Sequence, residues 1–246
     1  MKKLIVLLLA SLGGAVPLVA SADDSPHTIS ANVALGTDYV YRGQSQTDEN
    51  PAISGGFDYS YATGGFADFY AGTWASNISF GGSIETDFYG GLTGTLGNTG
   101  INWDGGVLYY LYPGKAKSED LNFVEGHFGL SYDFTDVAYS PSVGFKVHYS
   151  PDWQTSAGDA VYLDGNVSFS LPYDIGLAIH VGDQMVEKNG VWGTPDWVEW
   201  NVYLSKTFGP VDLSLGYHDT DLSKAECFGG TEICDGRVVF SVSAGF

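Results

Sequence analysis

Positive charge is scarce in this chain: 10 Lys and Arg stand against 29 Asp and Glu in 246 residues, for a formal charge of −19. That balance excludes nucleic acid as a partner, because too few cations are present to neutralise phosphates. Cysteine is scarcer, with Cys227 and Cys234 the whole complement. They form no CxxC element and no histidine accompanies them at matching spacing, so zinc binding and thiol catalysis are not expected. Also missing are a GxSxG nucleophile turn, an EF-hand spacing and any Pro/Ser-rich linker or internal repeat that would divide the chain. No metal and no cofactor is expected, and one domain is.

Long apolar runs are absent beyond the start. Met1–Ala22 reads as a secretory signal peptide, with Lys2 and Lys3, an apolar run from Leu4 to Leu12, and Ala20-Ser21-Ala22 before Asp23. Gly13, Gly14 and Pro17 interrupt it, and it is too short to span about 30 Å of hydrocarbon as a helix. The expected organisation is therefore 1–22 as a leader and 23–246 as the mature domain, exported and cleaved near Ala22.

What is present is suited to β-structure. The 34 glycines are about twice the usual share, and aromatics reach 15%. A mean hydropathy of −0.00 with 44% hydrophobic residues excludes a disordered acidic chain. Apolar and polar residues alternate: Ile29, Ala31, Val33 and Leu35 fall on one face, and Ser30, Asn32, Gly36 and Asp38 on the other. The split recurs with Ile84, Phe88 and Leu92 against Glu85, Asp87 and Thr93, and with Val161, Leu163, Val167 and Phe169 against Asp164, Asn166 and Ser168.

About twelve such segments are expected, near 28–41, 51–61, 66–75, 84–96, 101–112, 121–134, 138–149, 160–171, 175–182, 196–208, 211–218 and 237–246, with ends uncertain by two to four residues. Short links (Ala62–Gly65, Gly97–Gly100, Thr135–Val137, Pro172–Asp174, Gly209–Pro210) alternate with longer ones (Arg42–Asn50, Ser76–Gly82, Pro113–Asp120, Ser150–Gly158, Asp183–Thr194, Asp219–Asp235). Near-constant strand length, an even count and that alternation describe an antiparallel up-and-down transmembrane β-barrel with short periplasmic turns and longer extracellular loops.

A soluble sandwich would also alternate, and aromatic placement separates the two. On the apolar face, Tyr39, Tyr41, Tyr109, Tyr149 and Tyr217 lie beside long loops, whereas Tyr59, Tyr61, Phe134, Tyr139 and Phe208 lie beside short turns. Two such belts match the two interfaces of a bilayer. The last strand, with Phe240, Val242, Ala244 and Phe246 in phase, resembles the assembly signal of outer-membrane barrels. The expected partners are therefore outer-membrane lipid and lipopolysaccharide, with the barrel-assembly machinery reading Phe246.

The run Thr37-Asp38-Tyr39-Val40-Tyr41-Arg42-Gly43-Gln44-Ser45-Gln46-Thr47-Asp48, followed by Asn50-Pro51-Ala52, resembles the TorF family of porins. Weaker matches at Tyr70–Asn77, Glu85–Gly91, Tyr109–Gly114 and Tyr217–Asp221 extend the resemblance over essentially the whole mature chain. It implies an outer-membrane porin, and brings neither an established substrate nor a catalytic set.

In the lumen phase Asp38, Asp58, Asp68, Glu85, Asp87, Asp104, Glu125, Asp164, Glu199 and Asp212 face Lys146 and Arg237. Such a surface favours cations, so passive, cation-leaning permeation of small hydrophilic solutes is expected. The competing reading makes these carboxylates hydrogen-bonded struts in a narrow interior that Tyr70, Trp74, Tyr89, Tyr110, Tyr162 and Tyr203 nearly fill; the protein is then an occluded structural barrel or surface receptor. Arg42, near Asp38, Asp48 and Glu49, is expected at the loop mouth, either pinning the loop or meeting an acidic solute. Cys227 and Cys234 are expected to close the last long loop as a disulfide. The acids of that loop (Asp219, Asp221, Glu226, Glu232, Asp235) could hold calcium or bridge to lipopolysaccharide, but their spacing reads as a solvated surface. A lipid-modifying enzyme is the catalytic rival. His127, His148, His180 and His218 all fall in the polar phase, and His27 precedes the first strand, so no catalytic role is expected.

Overall fold

The computed structural model describes residues 25–114 and 120–246, so the expected leader lies outside the described residues. Strands β1 (His27–Gly36), β4 (Ala52–Tyr61), β5 (Asp68–Asn77), β6 (Ile84–Thr95), β7 (Ile101–Leu111), β8 (Phe123–Asp133), β9 (Ser142–Ser150), β10 (Ala160–Leu171), β11 (Ile175–Val186), β12 (Trp197–Phe208), β13 (Val211–Thr220) and β14 (Arg237–Gly245) form the wall. Between β1 and β4 lies a small hairpin of β2 (Val40–Tyr41) and β3 (Gln44–Ser45), and one helical turn, α1 (Asn189–Trp192), precedes β12.

Each wall strand pairs antiparallel with its neighbours, and β1 closes the barrel on β14 from Asn32↔Gly245 to Gly36↔Ser241. Ala31 and Phe246 exchange two backbone hydrogen bonds (3.0 and 2.8 Å), so closure leaves no sheet edge at the seam. Period-2 alternation sorts the two faces. Ile29, Phe57 and Val107 are 70%, 66% and 58% exposed on the outside, whereas Glu85, Asp87 and Glu125 are buried within. An apolar exterior around a polar interior is the arrangement of a transmembrane barrel, whose closed ladder satisfies every backbone group internally. Among the described residues no helix is long and apolar enough to cross a membrane.

Three expectations need correction. The first segment does not run to Tyr41: β1 ends at Gly36, where Thr37 N–H donates to the Phe240 carbonyl (2.9 Å) and the chain turns into the lumen. Tyr39 and Tyr41 therefore do not join an interfacial belt; both are buried inside. The segment expected from 138 starts at Ser142, because Tyr139 and Ser140 take positive φ (66° and 41°) and Pro141 cannot donate to a ladder. Finally, β11 continues to Val186 and carries Gln184 inward. Tyr109, Tyr149, Phe134, Tyr139 and Phe208 stand exposed on the outside.

Candidate functional site: the occluded lumen

The hairpin is built by a two-residue turn. Arg42 and Gly43 both have positive φ (47° and 78°), the signature of the tight turns that match strand twist. At Gly43 a side chain is also sterically barred, since a Cβ there would overlap Thr220 and Glu199 on the wall. Below the tip, Asp38 Oδ1 accepts from the Ser45 and Thr47 hydroxyls (2.7 and 2.6 Å), and Arg237 pairs with its Oδ2 at 3.2 Å. Asp38 thus sets the angle at which the chain leaves the wall.

Arg42 consequently sits deep inside, away from the mouth position expected beside Asp48 and Glu49. Its Nη2 donates to both oxygens of Glu125 at 2.8 Å, and its Nη1 to Gln184 Oε1 at 2.5 Å. The rings of Tyr162, Tyr41 and Trp153 lie 4.1, 4.8 and 5.1 Å from the guanidinium carbon. Trp197 Nε1 donates to the Arg42 carbonyl (2.9 Å). Elsewhere on the hairpin, Tyr39 donates to Glu85 (2.7 Å), and Tyr41 to Tyr110, which donates to Glu125 (3.0 and 3.1 Å). The hairpin thereby ties β6, β7, β8, β11 and β12 together across the lumen.

Beside it lies a cavity of about 30 Å³ between Val40, Arg42, Gly43, Tyr162, His180, Glu199, Asn201 and His218, room for a water. His180 lies between Asp164 (3.4 Å) and Glu199 (3.1 Å), and Tyr162 donates to Glu199 at 2.5 Å. Tyr203 hydrogen-bonds His218. Asp87 is fully buried, and among the described residues neither of its oxygens has a hydrogen-bond partner.

The structure therefore gathers Glu85, Asp87, Glu125, Asp164 and Glu199 around the hairpin. Asp104 forms a second group nearer the short turns, with His127 at 2.8 Å and Lys146 at 3.1 Å. Asp58 accepts from Tyr89 (2.5 Å). Asp68 accepts from Thr63 N–H (2.9 Å) and Asp212 from the Thr207 hydroxyl (2.5 Å), both beside short turns and away from the other acids. Sequence reasoning missed Gln184 and Trp153. Gln184 continues the inward phase of His180 and Gly182, which could have found it; Trp153 lies in a link with no periodicity.

Cys227 and Cys234 form a disulfide. Within that loop Ser223 donates from its hydroxyl and amide to Glu226 (2.6 and 2.9 Å), holding this carboxyl below its usual range, and Lys224 pairs with Glu232. The loop also grips the hairpin: Ile233 accepts from Ser45 N–H at 2.8 Å. Among the described residues no group of three or more His, Cys, Asp or Glu is placed to hold a metal ion.

The closed twelve-stranded antiparallel barrel is porin-like, and solved structures share that fold. The KdgM porin superposes with a TM-score of 0.56 at 11% identity, over 88% of this chain and 99% of that one. The NanC porin gives 0.57 at 11%, over 88% and 98%. The COG4313 outer membrane channel from Pseudomonas putida F1 gives 0.52 at 10%, over 91% and 96%. At such identities the likeness is one of fold. By sequence, the chain belongs to the Gcw_chp family, described as bacterial protein of unknown function, whose model matches residues 20–246. A sequence search of curated proteins finds no match.

Proposed function

We propose that this protein is an outer-membrane channel of porin type, of the TorF kind its first motif resembles, passing small hydrophilic solutes passively and favouring cations. One observation carries the reading: the buried interior presents five carboxyl groups, Glu85, Asp87, Glu125, Asp164 and Glu199, around one arginine, Arg42. Negative potential focused in a low-dielectric lumen attracts cations and repels anions. A KdgM porin structure is described in complex with disordered oligogalacturonate, an acidic ligand. The acidic lumen here argues for solutes of the opposite charge.

In this account the leader is cleaved near Ala22, the assembly machinery recognises the strand ending in Phe246, and the acidic loops face lipopolysaccharide. The histidines support a channel over a lipid-modifying enzyme, since His148, His180 and His218 are buried on the lumen side, away from any lipid substrate. Reversal potentials in a salt gradient across a planar bilayer test the proposal. Cation preference, weakened by neutralising Glu85 and Asp87, is expected; anion preference would overturn it. The filled lumen favours one alternative, a permanently occluded structural or receptor barrel, and absent conductance with normal heat-modifiable gel migration would establish that instead.

A further inference from the structure

Arg42 occupies a pocket whose outer half belongs to the barrel and not to the hairpin. Glu125 on β8 presents both carboxylate oxygens, Gln184 on β11 presents its carbonyl, and Tyr162 on β10 and Trp153 in the 151–159 link offer ring faces. A bidentate carboxylate, a neutral acceptor and flanking rings suit a planar, delocalised cation better than a compact ammonium. Acceptors remain nearby that Arg42 does not reach: among the described residues Asp87 has no hydrogen-bond partner, and Glu199 keeps one oxygen without one. If the hairpin withdraws, Glu125 loses its guanidinium and keeps Tyr110 (3.1 Å) and His148 (3.6 Å) beside it, which leaves an oriented carboxylate open to another cation.

We propose that this pocket is a binding site for small guanidinium-bearing solutes, which compete with Arg42 for Glu125 and hold the hairpin out of the lumen. The hairpin is then the protein's own copy of its ligand. The proposal rests on the channel reading above and names its solute class. Because Arg42 is tethered, it lowers the apparent affinity of a free competitor by the fraction of time the hairpin is withdrawn. Removing the arginine side chain removes that competition.

The test compares agmatine with putrescine, both dications at neutral pH, of which only agmatine carries a guanidinium. Tryptophan fluorescence of the refolded barrel in detergent, to which Trp153 in the pocket contributes, reads binding without requiring conductance, and single-channel recording reads opening. Agmatine is expected to bind Arg42→Ala at least about tenfold more tightly than putrescine does, and Arg42→Ala/Glu125→Gln should lose at least about tenfold of that affinity. In the wild type, agmatine should raise the open fraction. Should Arg42→Ala fail to fold, Arg42→Lys keeps the charge and weakens the stacked, bidentate contact, so agmatine should bind it more tightly than wild type. Equal binding of the two amines, or agmatine binding indifferent to Glu125→Gln, overturns the site. Discriminating binding without any conductance supports the site and overturns the channel reading; conductance without discrimination does the reverse.

Discussion

Towards the long links, the inward positions carry Tyr110, Glu125, His148, Tyr162, Gln184, Trp197 and Glu199, all buried under the hairpin. Towards the short turns one arc is lined by small residues: Ser170 lies opposite Gly176, Gly176 opposite Ser205, Ser205 opposite Ser214, and Ser214 opposite Ser241, while on the other side Tyr70 is buried against Gly91 and Gly106. The ion pairs follow the same division. Arg42 and Glu125 side chains are each 2% exposed, whereas Lys146 and Asp104 are 21% and 24% exposed. One strand set therefore builds a packed plug towards the long links and a more solvated arc towards the short turns. Since both halves share the same twelve strands, strand number does not set the bore; inward side-chain volume and the inward loop do.

Mutations can break this contrast. The largest effect is expected for Glu125→Gln, which leaves Arg42 buried without its counter-charge. Breaking such a pair costs about 3–5 kcal/mol, read from urea unfolding of the refolded barrel, and conductance should rise as the hairpin detaches. Cys227→Ser/Cys234→Ser comes next, at about 2–3 kcal/mol for so short a ring. Because Ile233 holds Ser45, reduction should also increase the frequency of brief openings in single-channel records. Asp104→Asn should change stability least, by at most about 1 kcal/mol, since its partners are partly solvated. It should nevertheless shift the reversal potential towards weaker cation preference, because it lies on the lumen side and is 24% exposed. A stability loss for Asp104→Asn equal to that of Glu125→Gln would erase the distinction between the halves.

The wall was legible because period-2 alternation is a local signal: β10, expected at 160–171, is Ala160–Leu171. The hairpin was not, because Tyr39 and Tyr41 continue the alternation of β1 and so read as two more outward residues. What sends them inward is non-local, namely the Arg237 pairing of Asp38 and the Glu125 pairing of Arg42. A clue was present in Arg42-Gly43, a two-residue turn flanked by residues able to pair as Tyr41↔Gln44. The candidate acids share the inward phase, yet phase alone could not tell the buried Asp87 from the half-buried Asp104, which depends on what the loop covers. Link lengths were similarly informative only in part, since 78–83 is no longer than 62–67.

The most direct test of a plugged upper lumen beside a more solvated lower arc is thiol accessibility, with the native cysteines protected as a disulfide. Ser205→Cys and Asp87→Cys are each treated with a charged methanethiosulfonate reagent in the refolded barrel. Rapid labelling is expected at 205 and labelling at least about a hundredfold slower at 87, becoming fast when Arg42→Ala is added. Equally fast labelling of both positions with Arg42 intact would contradict the plug.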